Sequence, residues 1–332
     1  KRTKRREKAE VKQVISRTYV NGVIAAKEKY FLGEKLLRLC ESDAATALRT
    51  LKENGFGGDA AEEKGAEELI RAEEASINAF VREYAAGEAE REYFLAPLDT
   101  HNVKAYFKAH VLGVDVAPML AEEGTLKTGA IAECFAKEDF SALPDYLQKA
   151  LKEAETICEN GTEGKGAKVG EAFEKALYAH LSESCKGESA LKKILAAKAD
   201  RTNLVIALRS KDLASAKEAF LAGGNVKADS FAFCFIEDEE KARAAAEKAG
   251  AHDLWKTYAA CKESGGVAAA EKAAAEAEID YFAKRKYELA GTKPFIYYVL
   301  RRRTECFNVR VALVCLNAGM KESEIKKRFR GV

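Results

Sequence analysis

Proline is scarce and long apolar runs are missing, and these two deficits frame the fold. Only 4 Pro interrupt 332 residues, so long stretches escape the helix break that proline imposes. No run approaches the ~18–20 uninterrupted apolar residues of a membrane-spanning helix, and the first residues are too charged for a secretory leader. A soluble or peripheral protein is therefore expected. Runs of β-branched residues are almost absent, which removes the usual material of buried strands. The 8 Cys (Cys40, Cys134, Cys158, Cys185, Cys234, Cys261, Cys306, Cys315) include no CxxC pair. That excludes the common zinc and redox spacings and reads as free, mostly buried thiols in a reducing cytosol. Asn160-Gly161-Thr162 fits the glycosylation pattern, but a cytosolic chain does not meet that machinery.

An excess of one charge is missing too. The sequence has 55 Lys plus Arg against 53 Asp plus Glu, a formal charge of +2, whereas nucleic-acid-binding domains are strongly basic. No nucleic-acid partner is expected. The local exception is Lys1-Arg2-Thr3-Lys4-Arg5-Arg6-Glu7-Lys8, a run that either touches phosphate or anionic lipid or simply sits in solvent. What the chain has in abundance is helix-forming material, such as the Ala-, Glu- and Lys-rich windows at residues 244–251 and 267–277. The fold class expected is all-α.

A search for self-similarity exposes a pattern of an acid, two residues, then Asn, followed by an apolar helical stripe. It begins at Asp99, Asp200 and Glu305, and the corresponding Asn102, Asn203 and Asn308 lie 101 and 105 residues apart. The stripes behind them are Val103/Tyr106/Phe107, Leu204/Ala207/Leu208 and Val309/Ala312/Leu313, positions that share one helix face. An acid followed three residues later by Asn resembles a capping box, so each copy is expected to cap the start of a helix. A second match aligns Gly124-Thr125-Leu126-Lys127 with Gly224-Asn225-Val226-Lys227, and Ala132, Cys134 and Phe135 with Ala232, Cys234 and Phe235. The two cysteines then read as repeated core positions rather than nucleophiles. Three units follow, at residues 1–115, 116–222 and 223–332. The breaks fall at residues 113–118 and 222–224, and residues 161–170 form a loop within the second unit.

The same residues resemble a known family. Leu98-Asp99-Thr100-His101-Asn102-Val103-Lys104 is similar to the Asp-x-His-Asn-Leu-Lys stretch of the C subunit of bacterial and archaeal V-type/A-type ATPases, relatives of subunit d of the eukaryotic vacuolar enzyme. Gly124-Thr125-Leu126 resembles the Gly-x-Leu turn that follows it there. Pro294, Tyr298, Glu305, Asn308, Arg310, Gly319, Glu324 and Ile325 look like that family's closing segment, and residues 19–57 resemble its opening helix pair. Val103 and Val309 stand where Leu or Ile is commoner, and the amino terminus is more charged than usual. The resemblance implies three structurally similar helical domains in a pseudo-threefold, funnel-shaped arrangement, on the cytoplasmic face of the membrane. It implies a non-catalytic rotor subunit that links the central shaft, subunits D and F, to the proteolipid ring, and passes torque for proton or sodium transport. No cofactor and no small-molecule substrate are implied.

A coupling protein should lack catalytic constellations, and the sequence offers none. Gly164-Lys165-Gly166 lacks the Gly-x4-Gly-Lys-Ser/Thr order of a P-loop. His101, His110, His180 and His252 follow no zinc spacing, and Ser184-Cys185 has no nucleophile-elbow context. Carboxylate pairs such as Glu62/Glu63, Glu122/Glu123 and Glu239/Glu240 read as solvated helix surface. The consecutive Arg301, Arg302 and Arg303 read either as a cationic edge steering an acidic partner or as a solvated basic helix end. Two other readings remain at this level: a generic α-helical repeat scaffold for protein–protein contacts, and an enzyme with a metal site inside a helical bundle.

Overall fold

Helix-favouring composition and scarce proline lead to helices almost throughout. The structure, a computed structural model, describes residues 16–58, 65–161, 164–264, 266–284, 286–288 and 291–331. The basic run at residues 1–8 lies outside the described residues. Three short helices, α1 (Arg17–Lys27), α2 (Glu34–Leu39) and α3 (Ala44–Glu53), precede the longer α4 (Ala66–Tyr84) and α5 (Glu88–Leu112). Next come α6 (Thr128–Lys137), α7 (Asp145–Glu159), α8 (Lys165–Ser184), α9 (Ser189–Arg209) and α10 (Leu213–Ala219). A 3-10 stretch, Ala228–Phe235, leads to α11 (Glu239–Lys248), α12 (His252–Ser264) and α13 (Val267–Ala283), and the chain closes with α14 (Lys293–Asn317) and α15 (Glu322–Arg328). No β-strand occurs among the described residues; the class is all-α, as expected.

Local signals set the helix limits. Asp43, Asp212 and Asp238 cap α3, α10 and α11 by accepting from Thr46 N, Ser215 N and Lys241 N, a bond that satisfies an otherwise orphaned donor. Gly113 ends α5 in the left-handed conformation, and Pro294 sits in the first turn of α14, where its missing N–H does no harm. The expected loop at residues 161–170 is shorter than read, because α8 starts at Lys165. Helix formers after Gly166 continue the helix once Gly164 has turned the chain with a φ of 76°. The aligned Cys134 and Cys234 segments also diverge: Cys134 lies on α6, whereas Cys234 lies in the 3-10 stretch.

Three helices, α5, α9 and α14, carry buried residues on several sides rather than along one stripe, the pattern of a helix surrounded by others. α5 packs along α8, α9 along α13 and α14 along α4. Val103, Ile131, Leu147 and Phe173 make one core from α5 to α8, and Leu204, Phe231, Phe233, Trp255 and Tyr258 make another around α9, the 3-10 stretch and α12. The remaining large core joins opposite ends of the chain: Val20, Leu36 and Leu51 pack in the same cluster as Phe295, Val309 and Ile325. Each fully buried Phe or Leu contributes roughly 1.5–3 kcal/mol.

Among the described residues, one non-glycine position is strained. Glu138 closes α6 with a φ of 52° and ψ of 30°, a left-handed conformation that costs an L side chain about 1–2 kcal/mol. Glu138→Gly is expected to raise stability by about 0.5–1 kcal/mol after the extra entropy lost by glycine is counted; urea unfolding measures it, and a loss of stability would show that the side chain itself holds the turn.

Candidate functional site

The three acid–Asn pairs are not where capping residues belong. Asp99 and Asn102 lie in the middle of α5, Asp200 and Asn203 in the middle of α9, and Glu305 and Asn308 in the middle of α14. The helix starts expected at these sites are therefore corrected, since the surrounding residues extend each helix ten or more positions upstream. All six side chains are buried. What they cap is the backbone of the segment that packs across the helix.

Asp99 Oδ2 accepts from Thr125 N at 3.0 Å and Oδ1 from Leu126 N at 2.9 Å. Asp200 repeats this with Asn225 N and Val226 N, both at 3.0 Å, and accepts a third bond from Asn225 Nδ2 at 2.9 Å. This is the physical reason for the aligned Gly124 and Gly224. A Cβ on Gly124 would lie 2.6 Å from Leu95 O and collide with the Asp99 carboxylate, and one on Gly224 would collide with Asp200. Asn203 grips Leu221 by both groups, its Oδ1 accepting from the N–H at 2.7 Å and its Nδ2 donating to the carbonyl at 3.0 Å. Asn308 grips Arg330 in the same way, at 2.9 Å for each bond. Asn102 makes half of this contact: Oδ1 accepts from Ala121 N at 2.9 Å, while its buried Nδ2 has no hydrogen-bond partner among the described residues.

The third acid reaches the start of the chain. Glu305 Oε1 accepts from Leu32 N at 2.8 Å, across 273 residues of sequence. Its other oxygen accepts from Arg302 Nη1 at 2.9 Å. Arg302 also pairs with Glu73 of α4 and donates to Tyr30 O at 3.1 Å, and Glu73 in turn accepts from Gly57 N at 3.0 Å. Burial works against the Arg302 charge, but Glu73 and Glu305 more than offset it and hold the guanidinium above its ordinary value. Removing one member of such a buried pair costs about 3–5 kcal/mol, because the other charge is left without a counterion.

The neighbouring arginines also turn inward. Arg303 Nη2 donates to Asn78 Oδ1 and to Phe94 O, each at 2.9 Å, and burial depresses its guanidinium to about 10. Arg301 Nη1 donates to Gly331 O. All three arginines of the triplet thus make bonds within the chain, with Arg302 buried and Arg301 and Arg303 half-buried. Two further polar contacts join helices from distant parts of the chain. Tyr93 of α5 donates to Glu278 of α13, which lies 3.6 Å from Lys198 of α9. Glu92 of α5 lies 2.7 Å from Nε2 of His180, whose ring stacks at 4.1 Å on Tyr146. Sequence spacing did not identify Glu73 or Glu278. Glu73 did leave a signal, as the lone acid in the stripe Ile70, Glu73, Ile77 and Phe80, whose residues are all buried.

These groups hold the fold and are not arranged for reaction. Burial pushes the thiols of Cys40 and Cys185 up to about 11 and that of Cys234 to about 12, which suppresses the reactive thiolate. His101 is spent on Met119 O at 2.9 Å. No group of three or more His, Cys, Asp or Glu able to hold a metal occurs among the described residues. Helices bolted to their own connecting loops by buried polar side chains define a helical structural subunit. The sequence profile of the ATP synthase (C/AC39) subunit family matches residues 20–328, and the chain belongs to that family of non-catalytic rotary-ATPase subunits. A comparison with curated proteins gives no match.

Two outcomes check the clamps. Asn203→Ala leaves both backbone groups of Leu221 unpaired, at about 1–3 kcal/mol for each buried group. It should therefore lower the melting temperature more than Asn102→Ala, which frees one; equal losses would show that the amide bonds do not set the stability. The second concerns Asp99, which burial raises from 3.8 to about 6 despite its backbone donors. The folded chain then binds this proton more tightly than the unfolded one, so its contribution is fully present below 3.8 and is lost as pH rises through about 6, roughly 3 kcal/mol in all. Unfolding free energies across pH 4–7 should show this fall in the native chain and not in Asp99→Asn; parallel profiles would place the proton elsewhere.

Proposed function

We propose that the chain is the coupling subunit of a rotary ATPase, joining a central shaft formed by subunits D and F to the proteolipid ring and carrying torque between them. The observation that supports this is the internal locking of α5, α9 and α14. A part that transmits torque must resist shear between its helices, and each of these three is fastened by buried bonds to a segment 18 to 27 residues further along or, for Glu305, at the far end of the chain. The same repetition supports a pseudo-threefold, funnel-shaped arrangement of three similar helical units. The proposed units are residues 1–115, 116–222 and 223–332, and the packing of α14 along α4 would join the third to the first. The position proposed is peripheral, at the cytoplasmic face of the membrane, since no helix among the described residues is long and apolar enough to cross one. Apolar Val111, Leu112 and Val114, exposed at the end of α5, are surface that a partner would cover.

The role is tested by deletion. Membranes from cells lacking this chain should lose ATP-driven ion pumping while the catalytic head, released into the soluble fraction, still hydrolyses ATP; the purified chain alone should hydrolyse none. Unchanged pumping in the deletion strain would overturn the assignment.

A further inference from the structure

A cleft of about 1220 Å³ opens between α8, α9, α10 and α13. Two of the six cations on its walls are paired: Lys198 lies 3.6 Å from Glu278, and Arg209 2.5 Å from Glu271. Lys168 and Lys211 are exposed, whereas Arg201 is partly enclosed. Its Nη1 is shut off from solvent with no hydrogen-bond partner among the described residues, although the side chain as a whole is partly exposed and lines the cleft. Arg330 lines it too, with its guanidinium 3.8 Å from the Phe307 ring centre and in no ion pair among the described residues. Its backbone is fixed there by Asn308.

A charged donor left without an acceptor is costly. The inward rotamer of Arg201 is therefore a poor resting place, and the exposed part of the side chain lets the guanidinium swing to an acceptor that enters the cleft. The α8 wall adds two acids beside Lys168, Glu171 and Glu174, in no ion pair among the described residues, and Val205 and Ala275 add apolar surface. A compact polyanion would satisfy the arginines but face those two glutamates. A polypeptide helix, with acids and bases on different sides, satisfies both walls. The volume suits about two turns of a helix ~10 Å across with a 5.4 Å pitch.

We propose that this cleft binds a helical segment of a partner protein that presents a carboxylate to Arg201 and Arg330 and a cation to Glu171 and Glu174. The coupling reading enters only in naming where such a partner is expected, a rotary ATPase, so the test is run in whole cells, where any partner is sampled. A benzophenone photo-crosslinking residue replaces Ala275 in the full-length chain, and the crosslinked peptide is mapped by mass spectrometry. Crosslinking to one helical segment, with an acid within a turn of the attached residue, is expected. Arg201→Glu should cut the yield by about tenfold or more, and Arg201→Gln by less, because reversing a buried interfacial charge is worse than removing it. Reversing the partner's acid to Lys should restore the yield in the Arg201→Glu chain. Circular dichroism melting confirms that both variants fold, as expected when Nη1 holds nothing in the free chain. An unchanged yield in folded Arg201→Glu, or no crosslink at all, overturns the proposal. So does loss of the crosslink when millimolar inorganic phosphate or ATP is added to permeabilised cells, which would make the cleft a small-anion site. A charge-dependent crosslink to a protein outside the rotary complex keeps the cleft and removes the coupling reading; unchanged crosslinking in Arg201→Glu does the reverse.

Discussion

The architecture depends on one kind of bond: a buried carboxylate or amide in the middle of a helix that takes up the backbone of the segment crossing it. A loop laid over a helix carries N–H and C=O groups that lose water when they are covered, and each must find a partner. Asp99, Asp200 and Glu305 supply acceptors at these crossings, and Asn203 and Asn308 supply both an acceptor and a donor. An apolar side chain at any of these places would pack but leave the crossing backbone unsatisfied. The clamp therefore fixes position as well as distance, since an amide that bonds both groups of one residue accepts no neighbouring residue in its place.

Part of this was legible in the sequence. The scarcity of proline and of β-branched runs predicts the all-α class, and the acid–Asn pattern with its apolar stripes identifies three helices that later prove central. Composition and spacing report what is periodic within an element. They say nothing of what crosses it, which is why Asp99 and Asn102 read as a local cap when their partners are Leu126 and Ala121. The glycines at 124 and 224 were visible as a repeat, but their reason, the approach of a carboxylate too close for a Cβ, needs coordinates. The arginine triplet misled for the same cause. Three adjacent cations suggest solvent unless the helix is known to be enclosed, and enclosure by α1 to α4 is a fact about residues more than two hundred positions away.

That separation orders the assembly of the fold. The clamps on Asp99 and Asp200 close over 25 to 27 residues, short loops whose closure entropy is modest. Glu305 to Leu32 closes over 273 residues, and Arg302 to Tyr30 over 272, and contacts of such range form late because the chain between them must be arranged before they are rewarded. The α5–α8 and α9–α13 regions each have a core of their own, whereas α1 to α4 share theirs with α14, α15 and residues of α5, α8 and α9. The ends of the chain thus pack together, with α14 along α4, in one core with residues of α5, α8 and α9. A carboxylate and a guanidinium placed at that junction, Glu305 and Arg302, make the docking selective. Buried charges tolerate little misregister, so the closing helix is stable only where Glu73, Tyr30 and Leu32 all meet it.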